Sequence, residues 1–497
     1  MVSFNNIPRN INVPLFYAEL DNSKAFQFNP EQKTLIVGQR LTSGIASVDE
    51  IILVASASQA REYFGVGSHL ATMVEAYRDN DPFTELWCLP VDDDGAAVAA
   101  TGTVVVSGPA TSSGTINLYI AGERILVSVT IGDTATAIAA AIVDAISEKL
   151  PLSAAINGGD DTQIDFTARN KGALGNEIDI RENYYGLPGG EKTPDGVVLT
   201  ITAMNSGTTN PDLSTPLSNI GDQPFNYIIH PFTDAISLTK IRDFMDDKAG
   251  RWSWEKQIYG HVFSARTGTV SELNTFGDGL NDPHISILGY HDSPTSVWQA
   301  AAMFGAQSAK SLSIDPARPL QTLPMIGFLP PPVKNRFRTS EANILLNSGV
   351  STSYTEGGYV RIQRAITTYQ ENAYGQPDTS YLDVQTLATL SYILKSLQAR
   401  ITQKFGRHKL ANNGTRFGPN QAIVTPNVVR SELIASYAEF ESEGLVENAT
   451  AFKENLLVER DQNDPNRLNI VMPPDLVNQL RIFAVLAQFR LQYPIAA

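Results

Sequence analysis

KTLIVGQ, residues 33–39, sets Leu35, Ile36 and Val37 side by side between polar ends, and reads as a buried strand. Working outward, SASQAREYFG (56–65) predicts a helix with Ser56 or Ser58 as N-cap. SHLATMVEAYRDN (68–80) predicts a second, with Leu70, Met73, Val74 and Tyr77 on one face. ELWCLPV (85–91) follows as another strand, and strand, helix, strand at these lengths indicates an open α/β sheet. The pattern resumes far downstream with FNYIIHP (225–231), a helix from about Leu238 to Trp252, IYGHVFSA (258–265) and HISILGY (284–290). Both blocks are expected to form one sheet, interrupted by what lies between.

That interruption opens at Asp92, Asp93, Asp94 and Gly95 and is rich in Gly, Thr, Val and Ala. TGTVVV, TINLYIA and RILVSVTI alternate as strands, with Gly122-Glu123 at a hairpin turn. Asp133 is placed to cap the Ala-rich helix TATAIAAAIVDAISEKL, and TQIDFTA, EIDIREN and GVVLTIT add strands before the segment closes at NSGTTNPD (205–212). The expected organisation is an extended arm over 1–30, a central α/β domain over 31–91 and 212–333, and a β-rich insert over 92–211. A C-terminal domain over 334–480 and a terminal arm over 481–497 complete it. Proline at positions 8, 14 and 30 favours extended backbone in the first arm. PMIGFLPPPV (324–333) reads as a boundary.

In the last third, Leu387, Leu390, Leu394, Leu397, Ile401 and Phe405 recur at spacings of three and four, one apolar seam on a long helix. A second helix starts at Thr425-Pro426, buries Val429, Leu433, Tyr437 and Phe440, and stops near Gly444. ENLLVER and RLNIVMP, separated by DQNDPN, form a hairpin. In IFAVLAQFRLQY, the residues Phe483, Val485, Phe489, Leu491 and Tyr493 alternate as in a strand, yet a helix also fits.

A net charge of −15 argues against a nucleic-acid binder. Cys88 is the single cysteine, so no internal disulfide can form and a cytoplasmic folding compartment is expected. No apolar run reaches the ~18 residues of a membrane span, and MVSFNNIPRNINVPLF is not expected to act as a secretory signal. There is no Gly-rich phosphate loop, and the six histidines fall at no metal-ligand spacing. The Asp92–Asp94 cluster lacks the distal glutamate of a calcium loop and reads as a solvated junction. No cofactor, metal or catalytic constellation is expected. A hydrolase on the α/β core is the remote alternative, and it requires a convergent pocket with a perturbed acid or nucleophile.

Charge is distributed unevenly. Val384 to Ser431 carries seven basic residues and no acidic one, whereas Glu432 to Asp461 carries eight acidic residues and two basic. The basic run fits a surface for an anionic partner, or a solvated helix end whose cations suit the dipole. Lys395 lies on the opposite flank of the seam from Arg400 and Lys404, so the cations make no single stripe.

NDPH (281–284), DPARPLQTL (315–323), RIQRAITTYQ (361–370), PDTSYLDVQTLATLSY (377–392), ARITQKF (399–405), RHKLANNGTRFGPNQAIVTP (407–426) and LVERDQNDPNRLNIVMPPDLVNQLRIFAVLAQF (457–489) resemble the tail sheath proteins of Mu-like contractile phages. PLFYAELDNS and FGVGSHLATMVEAY upstream are similar too. The resemblance implies a structural subunit of the virion tail, assembled in the host cytoplasm as stacked hexameric rings around a tail tube. It also implies baseplate and tail terminator proteins as further partners, with no nucleic acid and no membrane insertion. Terminal arms would complete the sheet of a neighbour's C-terminal α+β domain: Ile11, Val13, Leu15, Phe16 and Tyr17 from the N-terminal arm, and Phe483 to Tyr493, then a strand, from the C-terminal one. Lys395, Arg400, Lys404, Arg407 and Lys409 are the candidates to face the tube. A sheath of a phage-derived bacterial injection system is the alternative.

Overall fold

The computed structural model describes residues 32–418 and 421–491. The N-terminal arm candidates Ile11, Val13, Leu15, Phe16 and Tyr17, and Tyr493 of the C-terminal arm, lie outside the described residues.

Strands of both α/β blocks lie in one sheet. A six-stranded sheet runs in the order Ile285–Tyr290, His261–Thr267, Tyr227–Ile229, Thr34–Gln39, Leu86–Val91, Ile52–Leu53. All neighbours are parallel except the short last strand, which pairs antiparallel with Leu86–Val91. Every residue of Thr34–Gln39 is buried, as a strand covered on both faces must be. Helices Ala57–Phe64 and His69–Asn80 start at Ser56 and Ser68, whose hydroxyls accept from the N–H groups of Gln59 and Ala71. The helix expected to reach Trp252 ends at Met245 instead. Its continuation folds over Arg251, which is fully buried and donates through Nη2 to the carbonyls of Gln223 and Phe225, both at 3.0 Å.

One core element has no periodicity to announce it. Val297–Ile314 is a helix with thirteen buried residues on all sides, packed on both the sheet and His69–Asn80. Such a helix, apolar or small all round, sits inside the protein and shows no stripe. Gly305 lets it approach the sheet: a Cβ there would stand 2.4 Å from Ile229 Cδ1 and 2.5 Å from its Cγ1.

The insert contains a four-stranded antiparallel sheet, ordered Val198–Asn205, Thr101–Ser107, Asp160–Ala168, Leu152–Asn157, and a three-stranded one, Glu123–Val129, Gly114–Ile120, Ile180–Glu182. Its helix, Ala135–Ala145, is capped by Thr134 and not by Asp133. Asp133 instead turns its carboxylate back onto the N–H of Thr130 at 2.7 Å. The insert shares one continuous apolar cluster with the central body, from Ile36 and Tyr77 through Ile116 and Phe166 to Trp298. Its polar seam covers the C-terminal ends of the parallel strands, where ligands of open α/β sheets bind. Gln39 Nε2 donates to Asp93 Oδ1 and Lys171 O, both at 2.7 Å, and the N–H of His69 reaches Asn170 Oδ1 at 3.0 Å. Arg181 bridges Asp179 and Asp292, and Asn335 donates to Asp292 Oδ2. The Asp92–Asp94 junction is therefore in part a buried fastening.

PMIGFLPPPV is packed as well: Met325 and Phe328 are buried, and Pro324 bridges to Arg361 of the hairpin Thr352–Glu356/Tyr359–Arg364. Ser351 pairs in turn with Ile287 and Gly289 at the sheet edge. No helix of the described residues is long and apolar enough to cross a membrane.

Gly305→Ala is expected to lower unfolding stability by about 1–3 kcal/mol through overpacking against Ile229, although helix propensity alone would raise it by about 1 kcal/mol. Urea denaturation of the variant decides between the two signs.

Candidate assembly interface

The C-terminal third is built on two helices. Val384–Phe405 buries Val384, Leu387, Ile393 and Leu397, with Ile401 and Phe405 partly covered. The expected seam is thus shifted: Ile393 is buried where Leu394 was expected, and Leu394 is 38% exposed. The reason is that the helix packs on the central body at its start and on the Pro426–Ser442 helix further along, so no single stripe serves both. The second helix matches expectation, with Thr425 accepting from Val428 N and Pro426 in the first turn. Val429, Leu433, Tyr437 and Phe440 are buried, and the Tyr437 ring stacks on Phe452 at 3.7 Å.

Against this pair lies a hairpin, Leu457–Arg460 and Leu468–Val471. Asp461 builds its turn, accepting from the N–H groups of Asn463 and Asp464 and from Asn469 Nδ2. These bonds hold its carboxyl at about 2, below the usual range. Val458 and Leu468 turn toward the helices, while Leu457, Ile470 and Val471 are exposed. Among the described residues no further strand pairs with either outer edge.

The chain then leaves the body. Its root is held by backbone bonds from Glu447 N to Asp475 O and from Val477 N to Leu445 O. Arg481 closes the root, donating through Nη2 to Asp383 Oδ1 and Gln385 Oε1, both at 2.9 Å, beside Arg364 on the same carboxylate. Beyond Arg481 the described arm has neither helix nor strand. Phe483 is 82% exposed, Val485 69%, Phe489 84% and Leu491 97%, with Ile482 and Leu486 equally bare. Burying a side chain of this kind is worth about 1.5–3 kcal/mol, so the arm leaves on the order of 10 kcal/mol of apolar burial unmade.

The five cations singled out by sequence do not act together. Arg400 bridges Glu432 at 2.6 Å and also Glu439, and Lys404 reaches Glu432 at 2.6 Å. Part of the basic run is thereby answered by the acidic run that follows it. The signal was legible: Glu432 and Glu439 lie seven apart, on one helix face. Lys395 faces the other way, 5.9 Å from the Tyr259 ring centroid and close to buried Arg251. Among the described residues, Arg407 and Lys409 alone of the five are exposed without an ion pair, Arg407 just after the helix and Lys409 in the two-residue strand Lys409–Leu410 that pairs with Ile423–Val424. The Arg481–Asp383 anchor had no sequence signal, because its partners lie 98 residues apart.

Among the described residues no group of His, Cys, Asp or Glu could hold a metal. Cys88 is buried and its thiol is pushed far up by burial, away from nucleophilic use.

Residues 206–368 match the phage tail sheath protein central domain, and residues 376–490 the phage tail sheath C-terminal domain. Over 493 residues the chain is 45% identical to the Mu-like prophage FluMu tail sheath protein of Haemophilus influenzae, covering 98% of this chain and 99% of that one. Among solved structures it is similar to the sheath tail protein of Desulfitobacterium hafniense, at 12% identity and a TM-score of 0.46, over 94% of this chain and 100% of the other. A sheath tail protein from Listeria innocua gives 13% identity and a TM-score of 0.47, over 90% and 92%.

Lys395 gives this region a pH dependence above neutrality. Burial first, and the Arg251 charge second, lower its ammonium from 10.5 to about 8. The folded state thus releases that proton before the unfolded one, so the penalty is full below pH 8 and fades as pH rises toward 10.5. Lys395→Met is expected to be more stable than the parent by about 1–2 kcal/mol near pH 7. Urea denaturation should show that gap closing by about pH 10, and a gap independent of pH would contradict the assignment.

Proposed function

The chain belongs to the phage tail sheath protein family, a structural protein and not an enzyme, and on that premise we propose that it polymerises as stacked hexameric rings around a tail tube and contracts to drive the tube through the host envelope. The observation that carries this reading is the arm beyond Arg481: among the described residues, a row of bare apolar side chains on unpaired backbone, rooted by Arg481 on Asp383 beside a hairpin with two open edges.

An arm and an open edge in the same subunit are complementary in kind. An open edge offers N–H and C=O groups that an added strand satisfies, and the alternating apolar residues of that strand supply the side-chain burial. We assign the hairpin Leu457–Arg460/Leu468–Val471 as the acceptor for arms of neighbouring copies, the N-terminal arm, with Ile11 to Tyr17, and the C-terminal arm, with Phe483 to Tyr493. Each added strand contributes only a few kcal/mol of hydrogen bonding, at about 0.5–1.5 kcal/mol per bond. Repetition around a cylinder makes loss of any one subunit rare. The arm then behaves as a flexible joint, so the bodies can slide and rotate while the mesh stays closed.

For the tube contact, the exposed Arg407 and Lys409 are the better candidates. Arg400 and Lys404 instead fix the two helices to each other. Baseplate and tail terminator proteins are the further partners expected of such a particle, and assembly in the host cytoplasm its setting.

Cys88 is buried, so cysteines introduced at Val485 and Val471 would report arm exchange directly. Oxidised assemblies of Val485→Cys/Val471→Cys should give ladders of covalently linked subunits in a denaturing gel. Only intrachain products would mean that the arm folds back on its own body, and the proposal would fail. For the tube, Arg407→Gln/Lys409→Gln should weaken co-assembly with tube protein about tenfold or more and flatten its salt dependence. Arg400→Gln/Lys404→Gln should instead lower thermal stability. An unchanged salt dependence in the first variant excludes these residues from the contact.

A further inference from the structure

The place where the C-terminal arm is fastened limits what the arm can reach. Arg481 is held by Asp383 and Gln385, and Gln385 is fully buried. Its side chain is 13% exposed and that of Asp383 20%, and charge-assisted bonds of this kind are among the stronger ones. Asp383 immediately precedes the helix Val384–Phe405, so the anchor sits at the N-terminal end of that helix.

The open hairpin Leu457–Arg460/Leu468–Val471 lies toward the other end. Arg460, beside its turn, donates through Nη1 to Asn412 Oδ1 at 2.8 Å, in the chain that follows the long helix. Arg430 donates through Nε to Leu456 O at 3.3 Å, just before the first hairpin strand. Arg430 belongs to the start of the Pro426–Ser442 helix, where Glu432 meets Lys404 near the C-terminal end of the long helix. A helix of 22 residues is about 33 Å long, so arm root and hairpin are separated by much of that length.

An extended chain covers at most about 3.6 Å per residue, so Val485 reaches no more than about 14 Å from Arg481. Behind Arg481 the next holds are an exposed bond from Gln321 Nε2 to Leu480 O at 3.2 Å and the bond from Val477 N to Leu445 O, also 3.2 Å. Measured from Val477, the reach of Val485 doubles to about 29 Å. A tether that cannot span two sites gives an effective concentration near zero, and lengthening it past the span restores closure within one chain. The hairpin of a second copy is not subject to that limit, which is the condition that favours exchange over self-closure.

We infer that Arg481 is the positioning residue that directs the arm to another copy: locked on Asp383 and Gln385, it holds the arm too short to close on its own hairpin. This rests on the strand-exchange reading above, with that hairpin as the acceptor. Arg364 binds the same Asp383 carboxylate but belongs to the strand Tyr359–Arg364 and not to the arm, so it serves as the control.

The test uses the full chain carrying Val485→Cys/Val471→Cys, oxidised and run on a non-reducing denaturing gel, where intrachain loops migrate faster than unlinked chain and interchain links form ladders. Adding Arg481→Gln is expected to raise the intrachain fraction about fivefold or more. A Gly-Ser-Gly-Ser insertion after Arg481, which keeps the anchor and lengthens only the tether, should do the same. Arg364→Gln should leave the fraction at its starting value. An intrachain fraction unchanged by Arg481→Gln overturns the inference. Should that variant fail to fold, the insertion decides alone, and no change there overturns it equally. Only intrachain loops in the starting pair would defeat strand exchange itself, a failure seen before either change is made.

Discussion

Backbone N–H and C=O groups must be paired or left in water, and at one hairpin and the arm beyond it this chain leaves them in water among the described residues. The hairpin Leu457–Arg460/Leu468–Val471 is a two-stranded sheet, a unit that is marginal alone, and both its outer edges are open among the described residues. Its neighbour in sequence is an arm with bare phenylalanine, leucine and valine side chains and no fold of its own. On the proposed strand exchange, each would supply what the other lacks. The rest of the C-terminal third serves to hold the two in place: the stacked Tyr437 and Phe452 beneath the hairpin, and Arg481 locked onto Asp383 where the arm departs.

The central body answers a different requirement. Here the insert and the α/β sheet share one apolar core and a largely buried polar seam. The same seam covers the strand ends where an α/β enzyme would seat its ligand. The loops at those strand ends are bonded to the insert through Gln39, Asp93 and Asn170.

Charge shows how far pattern carries and where it stops. The 48-residue stretch without a carboxylate suggested a docking surface, but its cations divide three ways. Arg400 and Lys404 are neutralised by the acidic helix beside them, Lys395 is turned into the seam with the central body, and Arg407 and Lys409 remain in solvent. A run of like charge states that repulsion must be relieved. It does not state whether the relief comes from within the chain or from a partner.

The sequence by itself determined the elements whose signal is local. The parallel strands, the helix beginning at Thr425-Pro426 and the hairpin around Asp461 all follow from apolar pattern and from polar side chains bonding within three residues of themselves, while the choice of Ser56 over Ser58 as a cap came from the structure. Tertiary structure alone decided the rest. Val297–Ile314 is buried on every side and so carries no stripe to read. Ile393 and not Leu394 entered the core because the long helix serves two neighbours. Asp383 met Arg481 across 98 residues of chain. Local chemistry fixes what a segment becomes, whereas which face it buries and which charge it meets depend on neighbours that only the folded chain brings together.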